Sequence, residues 1–265
     1  MEVVGSVTSR KELAVESWRR WVEFVPELRR PWCAVAVGAG VVLGVLFFLA
    51  AGHLAARALP FGAVLAQAGF VLWGGLWMAA FWRRRADYRR RYGTLAYREL
   101  FFRFLMPAMV SGVAALCFPL LVGGERLLPS VVASGFSVYL LVTALLIELR
   151  GREVFWNIDL RGFVYSVFPE RGQILTAGIF GRLRHPVYSA FVRFVFGEAL
   201  IRNNLSAVLC AGVGAIGIWL LAREEERDLE RYQAGYVAYR RGVPAFFVAR
   251  PMRFWRFLIA GRDAG

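Results

Sequence analysis

Two polar groups near the carboxyl-terminal end carry the residue types best suited to chemistry. One is the run Arg184-His185-Pro186-Val187-Tyr188, and the other combines Glu225-Glu226 with Tyr236 and Tyr239. The proline of the first group suits the first turn of a helix, where its missing N–H costs nothing. The arginine and histidine before it therefore lie at a helix amino terminus, whose unpaired N–H groups favour binding of an anion or a polar cofactor group.

The second polar group forms a single stripe if residues 223–240 are one helix. At about 100° per residue, five positions of this helix fall within roughly 40° of a common direction, whereas Glu226 points about a quarter-turn away. These five positions are Glu225, Leu229, Tyr232, Tyr236 and Tyr239. Gly235 is the position at which this helix could end. The alternative interpretation is a juxtamembrane helix with aromatic anchors and solvated charges.

The composition is that of an integral membrane protein. Of the 265 residues, 58% are hydrophobic and 20% are charged, and the mean hydropathy is +0.50, which lies outside the usual balance of soluble domains. The net charge of +14 comes from 33 basic residues, all but one of them arginine. These arginines fall between apolar runs rather than along one stripe, which argues against a nucleic-acid partner and for membrane topology.

Apolar stretches long enough to cross a bilayer, about 20 residues of helix, predict about six transmembrane segments. They are Pro31–Ala56, Phe61–Trp82, Phe101–Val122, Val131–Leu149, Val187–Ile201 and Leu205–Ala222. Only Arg202-Asn203-Asn204 separates the last two, so they form a tight antiparallel hairpin. The fifth segment, about 22 Å long as a helix, is short for a full crossing. The predicted fold class is an all-α polytopic membrane protein.

Arginines in the connecting segments predict the orientation. The stretches before the first segment, after the second and after the fourth are rich in arginine, whereas the alternate loops hold only Arg57, Arg126 and Arg202. The positive-inside rule then places both termini in the cytoplasm. We expect a protein integral to the cell (inner) membrane, in contact with the lipid bilayer, with both polar groups on its cytoplasmic side.

Amphipathic segments flank the apolar ones. Within residues 1–30, Val15, Trp18, Val22 and Val25 fall on one helical face, which suits a helix lying in the membrane interface. The tail from Pro251 repeats this pattern, and both segments are expected to act as anchors. Its apolar positions are Met252, Trp255, Leu258 and Ile259, opposed to Arg253 and Arg256. The chain thus divides into an interfacial segment (1–30), a four-helix transmembrane region (31–149) and a region with both polar groups (150–265).

Cysteine and histidine usage excludes several kinds of site. Cys33, Cys117 and Cys210 are scattered singly through apolar segments, without the paired spacing of a disulfide or a metal site. His53 and His185 lie near opposite membrane faces and cannot share a zinc ion. No metal site is expected. No glycine-rich strand-turn-helix motif indicates a Rossmann or P-loop nucleotide site.

Arg193 and Glu198 are ionisable residues inside an apolar segment, where a charge is expensive and usually faces a cavity or a partner. They lie about 140° apart around a helix, so they are not expected to pair. Arg193 has two candidate partners, Glu148 near the end of the fourth segment and an acidic group on a bound substrate. It is therefore counted among the candidate catalytic residues. Glu198 is expected to bond Arg202 one turn later, and a purely structural ion pair is the alternative.

The order and spacing of the motifs resemble those of the isoprenylcysteine carboxyl methyltransferase-like, or phospholipid methyltransferase, superfamily of membrane methyltransferases. Its signature is a Thr-x-Gly-aromatic lead-in, Arg-His-Pro-x-Tyr, a helical hairpin, paired glutamates and Tyr-x-x-Tyr-x-x-x-Val-Pro. Here these elements are Thr176–Phe180, Arg184–Tyr188, the hairpin, Glu225-Glu226 and Tyr236–Pro244, so the resemblance covers about a third of the chain. Two departures are Ala190, where a glycine is usual, and Tyr232-Gln233, where Phe-Gly is usual.

The resemblance implies an S-adenosylmethionine-dependent methyltransferase whose cytoplasmic tail closes over the cofactor. The cofactor-binding residues that it implies are Gly178, Arg184, His185, Pro186, Tyr188, Glu225 and Glu226. It places Tyr236, Tyr239 and Arg240 at the reactive centre, where they join Arg193 as candidate catalytic residues. Residues 150–265 are then a methyltransferase-like core. The methyl acceptor, an isoprenoid, a phenolic lipid, a carboxylate or a small thiol, is expected to reach it from the bilayer.

Two other functions fit parts of the same pattern. Sterol reductases have a similar His-Pro-x-Tyr run and a tyrosine-rich ending, so an NADPH-dependent membrane reductase is one alternative. That fold needs more membrane spans, and the adjacent Glu225-Glu226 fits methyltransferases better. A non-catalytic membrane scaffold is the other alternative. The residues do not indicate which acceptor is used or which oligomer forms.

Overall fold

The described residues form α-helices, short 3-10 and π-helical segments and the connections between them, without a β-strand among them. The computed structural model describes residues 22, 25–154, 166–171, 174–248 and 250–261. Its α-helices are α1 Pro31–Ala58, α2 Gly62–Tyr92, α3 Ala96–Leu100, α4 Met106–Cys117, α5 Ser130–Val154, α6 Pro186–Arg202, α7 Leu205–Tyr232, α8 Tyr236–Gly242 and α9 Pro251–Ala260. The all-α class that the sequence predicts is confirmed. The interfacial helix predicted within residues 1–30 lies almost entirely outside the described residues.

Four helical stretches in the described part of the chain are long and apolar enough to cross a membrane. They are Pro31–Ala58, Gly62–Leu121, Ser130–Arg152 and Leu205–Tyr232. The 60-residue second stretch reverses direction near Gly93, whose φ is 55°. After this reversal the ring of Phe104 lies 6.0 Å from that of Trp77, so α2 and α4 run antiparallel. All six predicted segments are helical, and the number that crosses the membrane stays a prediction.

The outer helices expose apolar side chains over much of their surface. In α1, for example, Val35 is 70% exposed, Leu43 66% and Phe47 69%. A helix that is apolar on every face needs an apolar environment on the sides that its neighbours leave open. These surfaces are therefore the ones that face lipid.

The α6–α7 hairpin packs between α5 on one side and α2 on the other. Ser137 Oγ donates a hydrogen bond to Gly197 O at 2.9 Å, which ties α5 to α6. Gly197 also lets Leu141 approach closely, since a Cβ at this glycine would lie 2.7 Å from the leucine Cδ2. On the other side, Gly217 of α7 lies against Val71 of α2 in the same manner. Small residues at these crossings allow the close helix approach that membrane packing requires.

The hairpin turn is held by two asparagines at the arginine-poor end of the bundle. Asn203 adopts a left-handed conformation, with φ at 51°. Its side chain accepts from Leu128 N at 3.0 Å and donates to Leu128 O at 2.7 Å. Asn204 caps α7 by accepting from Ala207 N at 2.8 Å, the usual task of an N-cap asparagine.

The predicted bond between Glu198 and Arg202 is wrong. Arg202 Nε instead donates to Val122 O at 3.1 Å, across the bundle. Because α6 ends at Arg202, this side chain reaches a loop carbonyl, which also accepts a hydrogen bond from Asn204 Nδ2 at 2.9 Å. Glu198 Oε2 is buried and has no hydrogen-bond partner among the described residues.

The opposite end of the bundle holds most of the arginines and the ion pairs that join its helices. Arg85 of α2 binds Asp228 of α7 through both terminal nitrogens, at 2.6 and 3.0 Å. Its Nη1 also donates to Ser166 O at 2.9 Å. This guanidinium thus joins three parts of the chain at the end of the molecule where both polar groups lie.

The carboxyl-terminal helix α9 confirms the predicted amphipathic helix, but its inner face differs from the predicted one. Phe254, Phe257 and Leu258 are buried, whereas Met252 and Ile259 are 69% and 62% exposed. The buried face packs on the cluster around Leu183 at the start of α6. One face of α9 therefore packs against the region of the polar groups, and its other face exposes arginines and apolar side chains.

Candidate active site

The Arg-His-Pro motif forms a buried corner at the start of α6. His185 precedes the helix and Pro186 is its first residue. The His185 side chain is almost fully enclosed, with its ring between those of Tyr188 and Phe246 at centroid distances of 5.5 and 5.9 Å. Its Nε2 lies 3.0 Å from Glu226 Oε1, and its Nδ1 lies 3.8 Å from Glu225 Oε2. The two predicted polar groups therefore meet.

Glu226 of α7 binds both Arg184 and His185 of the corner, and this set of contacts is called the clasp below. Its Oε1 accepts from both Nε and Nη2 of Arg184, each at 3.0 Å, and from His185. Arg240 Nε lies 3.5 Å from the other oxygen, Oε2. Burial opposes ionisation of this carboxyl, but the hydrogen bonds from His185 and Arg184 outweigh it and lower the pKa of Glu226 to about 2. The carboxylate is therefore ionised at all physiological pH values.

The tail after α8 docks along the first turns of α6 through its backbone carbonyls. Arg184 N donates to Pro244 O at 2.9 Å, and His185 N donates to Ala245 O at 3.2 Å. The Arg184 guanidinium also donates to Arg240 O and to Val243 O. One arginine thus joins the Glu226 carboxylate to the tail that covers it.

Ser189 and Phe246 belong to this site, although the motifs did not point to them. Ser189 Oγ donates to Phe246 O at 2.6 Å, which extends the ladder of contacts by one turn of α6. The Val-Pro pair at 243–244 is a signal for an extended tail, because a residue before proline avoids helical backbone. No local pattern indicates which helix receives that tail.

Tyr236 and Tyr239, the two tyrosines of α8, have different environments. The predicted continuous stripe is not formed, because α7 ends at Tyr232 and Gly235, with φ at 87°, starts a new helix. Tyr239 OH donates to Phe180 O at 2.6 Å, and burial raises the pKa of Tyr239 to about 12. Tyr236 is 2% exposed, and its hydroxyl has no hydrogen-bond partner among the described residues. Burial, with Glu226 nearby, raises the pKa of Tyr236 further above its usual value, so both phenols are protonated.

The Thr176–Phe180 segment, which contains the Thr-x-Gly motif, forms a turn that binds Tyr239. Gly178, with φ at 55°, begins the turn Gly178–Gly181 and is itself exposed. Gly181 lies so close to the Thr176 carbonyl that a Cβ would be 2.7 Å from its oxygen. This tight turn buries Ile179 and presents the Phe180 carbonyl to Tyr239.

Arg193 lies two turns along α6 from the corner and contacts the same tail. It is 8% exposed, and its Nη1 donates to Ser189 O at 2.9 Å and to Phe246 O at 3.2 Å. The predicted pairing with Glu148 is wrong, because Glu148 accepts from Arg152 Nε at 3.0 Å on its own helix. The structure therefore brings Arg193 to the tail rather than to α5.

Two openings flank the Arg184 side chain. A cleft of about 750 Å³ lies on the side of α9, and a pocket of about 430 Å³ lies beside Glu226. The residues shared by both are Arg184 and Arg240. Glu225 stays half-exposed, with 45% of its side chain accessible, and interacts with Tyr188. A small molecule can thus reach the corner and find a carboxylate, aromatic rings and guanidinium groups around it.

The comparison with protein families agrees with the motifs. Residues 133–234 match the model of the family described as phospholipid methyltransferase. This match covers less than half of the chain, from α5 to the end of α7, and includes the corner and both glutamates. Searches of curated proteins and of solved structures returned no match. The family match therefore agrees with the motif order, and over residues 133–234 the chain is similar to membrane methyltransferases of the phospholipid methyltransferase family.

Proposed function

We propose that the protein transfers a methyl group from S-adenosylmethionine to a hydrophobic or lipid-like acceptor held in the membrane. One observation carries this proposal. The Arg184-His185 corner and the Glu225-Glu226 pair, 41 residues apart in sequence, meet around a 3.0 Å contact at the end of apolar helices. They do so within the region that matches a membrane methyltransferase family.

The residues at the corner fit the polar groups of S-adenosylmethionine. That molecule presents an ammonium, a carboxylate, ribose hydroxyls and a flat aromatic base. Glu225 offers a half-exposed carboxylate, and Tyr236 offers a buried hydroxyl that still lacks a partner among the described residues. Both openings have volumes within the range of small-molecule sites, about 300–1,000 Å³.

The two glutamates have different roles in this proposal. Glu226 is already engaged by Arg184 and His185, so it positions the corner and holds the tail closed. Glu225 has the more accessible carboxylate and is the better candidate for an ammonium or for ribose hydroxyls. Pro186 begins the helix at the required point, while Gly178 shapes the turn that receives Tyr239.

Methyl transfer asks the protein mainly for alignment and for exclusion of water. When bound, S-adenosylmethionine supplies an electrophilic methyl group on a sulfonium that becomes neutral as the methyl leaves. The hydrogen bonds between the tail and α6, together with the contacts of Arg184 with Glu226, cover one side of the corner and so limit the access of water to it. Tyr236 and Tyr239 stay protonated and therefore act as hydrogen-bond donors rather than as bases. Arg240 of α8 contacts both Glu226 and Glu230 of α7 and so joins these two helices.

The location of the site supports an acceptor from the bilayer and a cofactor from the cytoplasm. The corner lies at the arginine-rich end of the bundle, and the positive-inside rule assigns that end to the cytoplasm. Lipid-facing apolar surface begins on the same helices. We infer that the donor enters from the aqueous side and that the acceptor enters from the membrane.

Titration of the purified full-length protein in detergent with S-adenosylmethionine tests this function, with NADPH as the comparison ligand. Saturable binding of S-adenosylmethionine is expected for the wild type and for His53→Ala, since His53 lies near the end of α1, next to Gly52, which packs on Phe118 at the arginine-poor end of the bundle. His185→Ala and Glu225→Ala are expected to lose it while they remain folded. Binding of NADPH alone would favour a reductase, and undiminished S-adenosylmethionine binding by both site variants would refute the proposed site.

A further inference from the structure

Arg193 is a buried cation without a carboxylate partner in the described part of the molecule. Its guanidinium contacts neutral groups, namely the carbonyls of Ser189 and Phe246 and the Ser189 hydroxyl. Glu148, the acidic residue that the sequence offered as its partner, is engaged by Arg152. A charge that is held in an apolar helix without a counter-ion is expensive, and such residues usually mark a functional site.

The remaining nitrogens of Arg193 are free to bind a ligand. Only Nη1 makes hydrogen bonds to described residues. Nε and Nη2 make no hydrogen bond to described residues, and both nitrogens keep some accessible surface. A guanidinium offers five N–H donors in a planar fork that matches an oxyanion. Most of this donor capacity is unused.

The ring of Phe247 connects Arg193 with the basic cleft. It lies 4.9 Å beneath the Arg193 guanidinium, and Phe247 also lines the cleft of about 750 Å³. None of the cleft residues is acidic, and Arg241, Arg250 and Arg253 line it with exposed side chains. These three arginines have no acidic partner among the described residues. Their summed positive field attracts anions toward the Phe247 side of Arg193.

We propose that Arg193 binds an anionic group of the methyl acceptor, which makes the acceptor an acidic amphiphile with a carboxylate or phosphate head and an apolar chain. This inference rests on the proposed methyltransferase function. Arg193 lies eight residues after His185 on α6, or about 12 Å along the helix axis. The acidic head therefore binds within the same site, next to the tail that covers the corner, while the chain extends along lipid-facing helix surface.

A purely structural role for Arg193 makes a different prediction. Its observed contacts are hydrogen bonds to neutral acceptors, and a glutamine at this position retains a donor for them without the charge. Arg193→Gln therefore separates the two roles, and Arg193→Lys keeps the charge as a second variant. The matched control is Arg256→Gln, since Arg256 is an exposed arginine of α9 that does not line the cleft.

The experiment measures binding of oleate, oleyl phosphate and oleyl alcohol to the purified full-length protein in detergent, by quenching of its tryptophan fluorescence. The wild type, Arg193→Lys and Arg256→Gln are expected to prefer at least one acidic probe over oleyl alcohol. Arg193→Gln is expected to bind that acidic probe about 10- to 100-fold more weakly, the effect of losing a charged hydrogen bond. Its affinity for oleyl alcohol is expected to stay unchanged. The two acidic probes distinguish a carboxylate head from a phosphate head.

S-Adenosylmethionine binding is measured in parallel and keeps the two proposals apart. Normal cofactor binding by Arg193→Gln, together with the weaker acidic-probe binding, supports the inference. Equal affinity of the wild type for acidic and neutral probes would overturn it, as would an equal loss for both probe types in Arg193→Gln. If the wild type binds acidic probes but not S-adenosylmethionine, the proposed function fails and Arg193 is not assigned to a methyl acceptor.

Discussion

Replacement of Glu226 by glutamine removes the charge of the clasp while it keeps the shape of the side chain. The carboxylate accepts from His185 and twice from Arg184, and it is 8% exposed. In Glu226→Gln, Arg184 and His185 stay in place but lose the negatively charged group that accepts their hydrogen bonds. We therefore expect the tail and the α6 corner to lose much of their mutual stabilisation.

The size of this effect follows from the pKa of Glu226. That pKa falls from its ordinary value of 4.5 to about 2. At about 1.4 kcal/mol per pKa unit, the surroundings favour the charged form by about 3 kcal/mol. Removal of one partner of a buried ion pair costs about 3–5 kcal/mol in other proteins. We expect Glu226→Gln to lower the free energy of unfolding by about 2–4 kcal/mol.

The assay is unfolding of the purified protein in mixed detergent and SDS micelles, followed by labelling of the fully buried thiol of Cys210. The control is Glu224→Gln, the same change two residues earlier. Glu224 has 43% of its side chain accessible and, among the described residues, pairs with Arg227 one turn away, so its loss is expected to cost well under 1 kcal/mol. Equal stability losses in the two variants would refute the assignment of Glu226 as the clasp.

The pH dependence gives an independent check of the same reasoning. The folded-state pKa of Glu226 lies below its unfolded value, so its contribution is fully present above about pH 4.5. That contribution is lost as the pH falls through 4.5 toward 2, because the protonated acid then resembles glutamine. The stability difference between wild type and Glu226→Gln is therefore expected to shrink in that window and to be constant between pH 6 and 8.

Three further predictions concern the tail and the helix packing. Arg184→Lys removes the branched guanidinium that joins α7 to the tail, so amide hydrogen exchange in residues 236–246 is expected to rise, and unchanged protection would contradict this. Tyr239→Phe loses the 2.6 Å bond to the Phe180 carbonyl and is expected to cost about 1 kcal/mol in the same unfolding assay. Gly62→Ala places a Cβ 1.9 Å from a backbone oxygen of α1 and is expected to cost more than 2 kcal/mol, about the scale of core overpacking. Its control, Gly69→Ala, meets no atom within 4 Å and is expected to change stability little.

Most of the secondary structure could be predicted from the sequence because its signals are local. Apolar runs of sufficient length indicate spanning helices, and Pro186 indicates the start of α6. The reversal near Gly93 and the hairpin turn at Asn203 also coincide with the gaps between predicted segments. The stripe on residues 223–240 was not realised, because Gly235 ends the helical periodicity on which that angle calculation depends.

Partner choice between helices could not be predicted in the same way. Arg193 and Glu148 are opposite charges on neighbouring helices, yet each bonds within its own helix or to the tail. Arg202 likewise turns to a carbonyl of the neighbouring loop rather than to Glu198. Sequence spacing fixes which residues share a helix face, but the rotation and depth of one helix against another decide which atoms meet.

The sequence by itself determined the membrane class, the helical segments, the motif order and the resemblance to membrane methyltransferases, because these depend on composition and local spacing. The tertiary structure decided that Glu226 is the buried clasp and Glu225 the accessible carboxylate, since α7 turns one of two adjacent side chains into the α6 corner. It also decided that Tyr236 keeps an unpartnered hydroxyl within the described site and that Arg193 lacks a counter-ion there. Burial and partners at these positions follow from how α6, α7 and the tail pack, which no local pattern encodes.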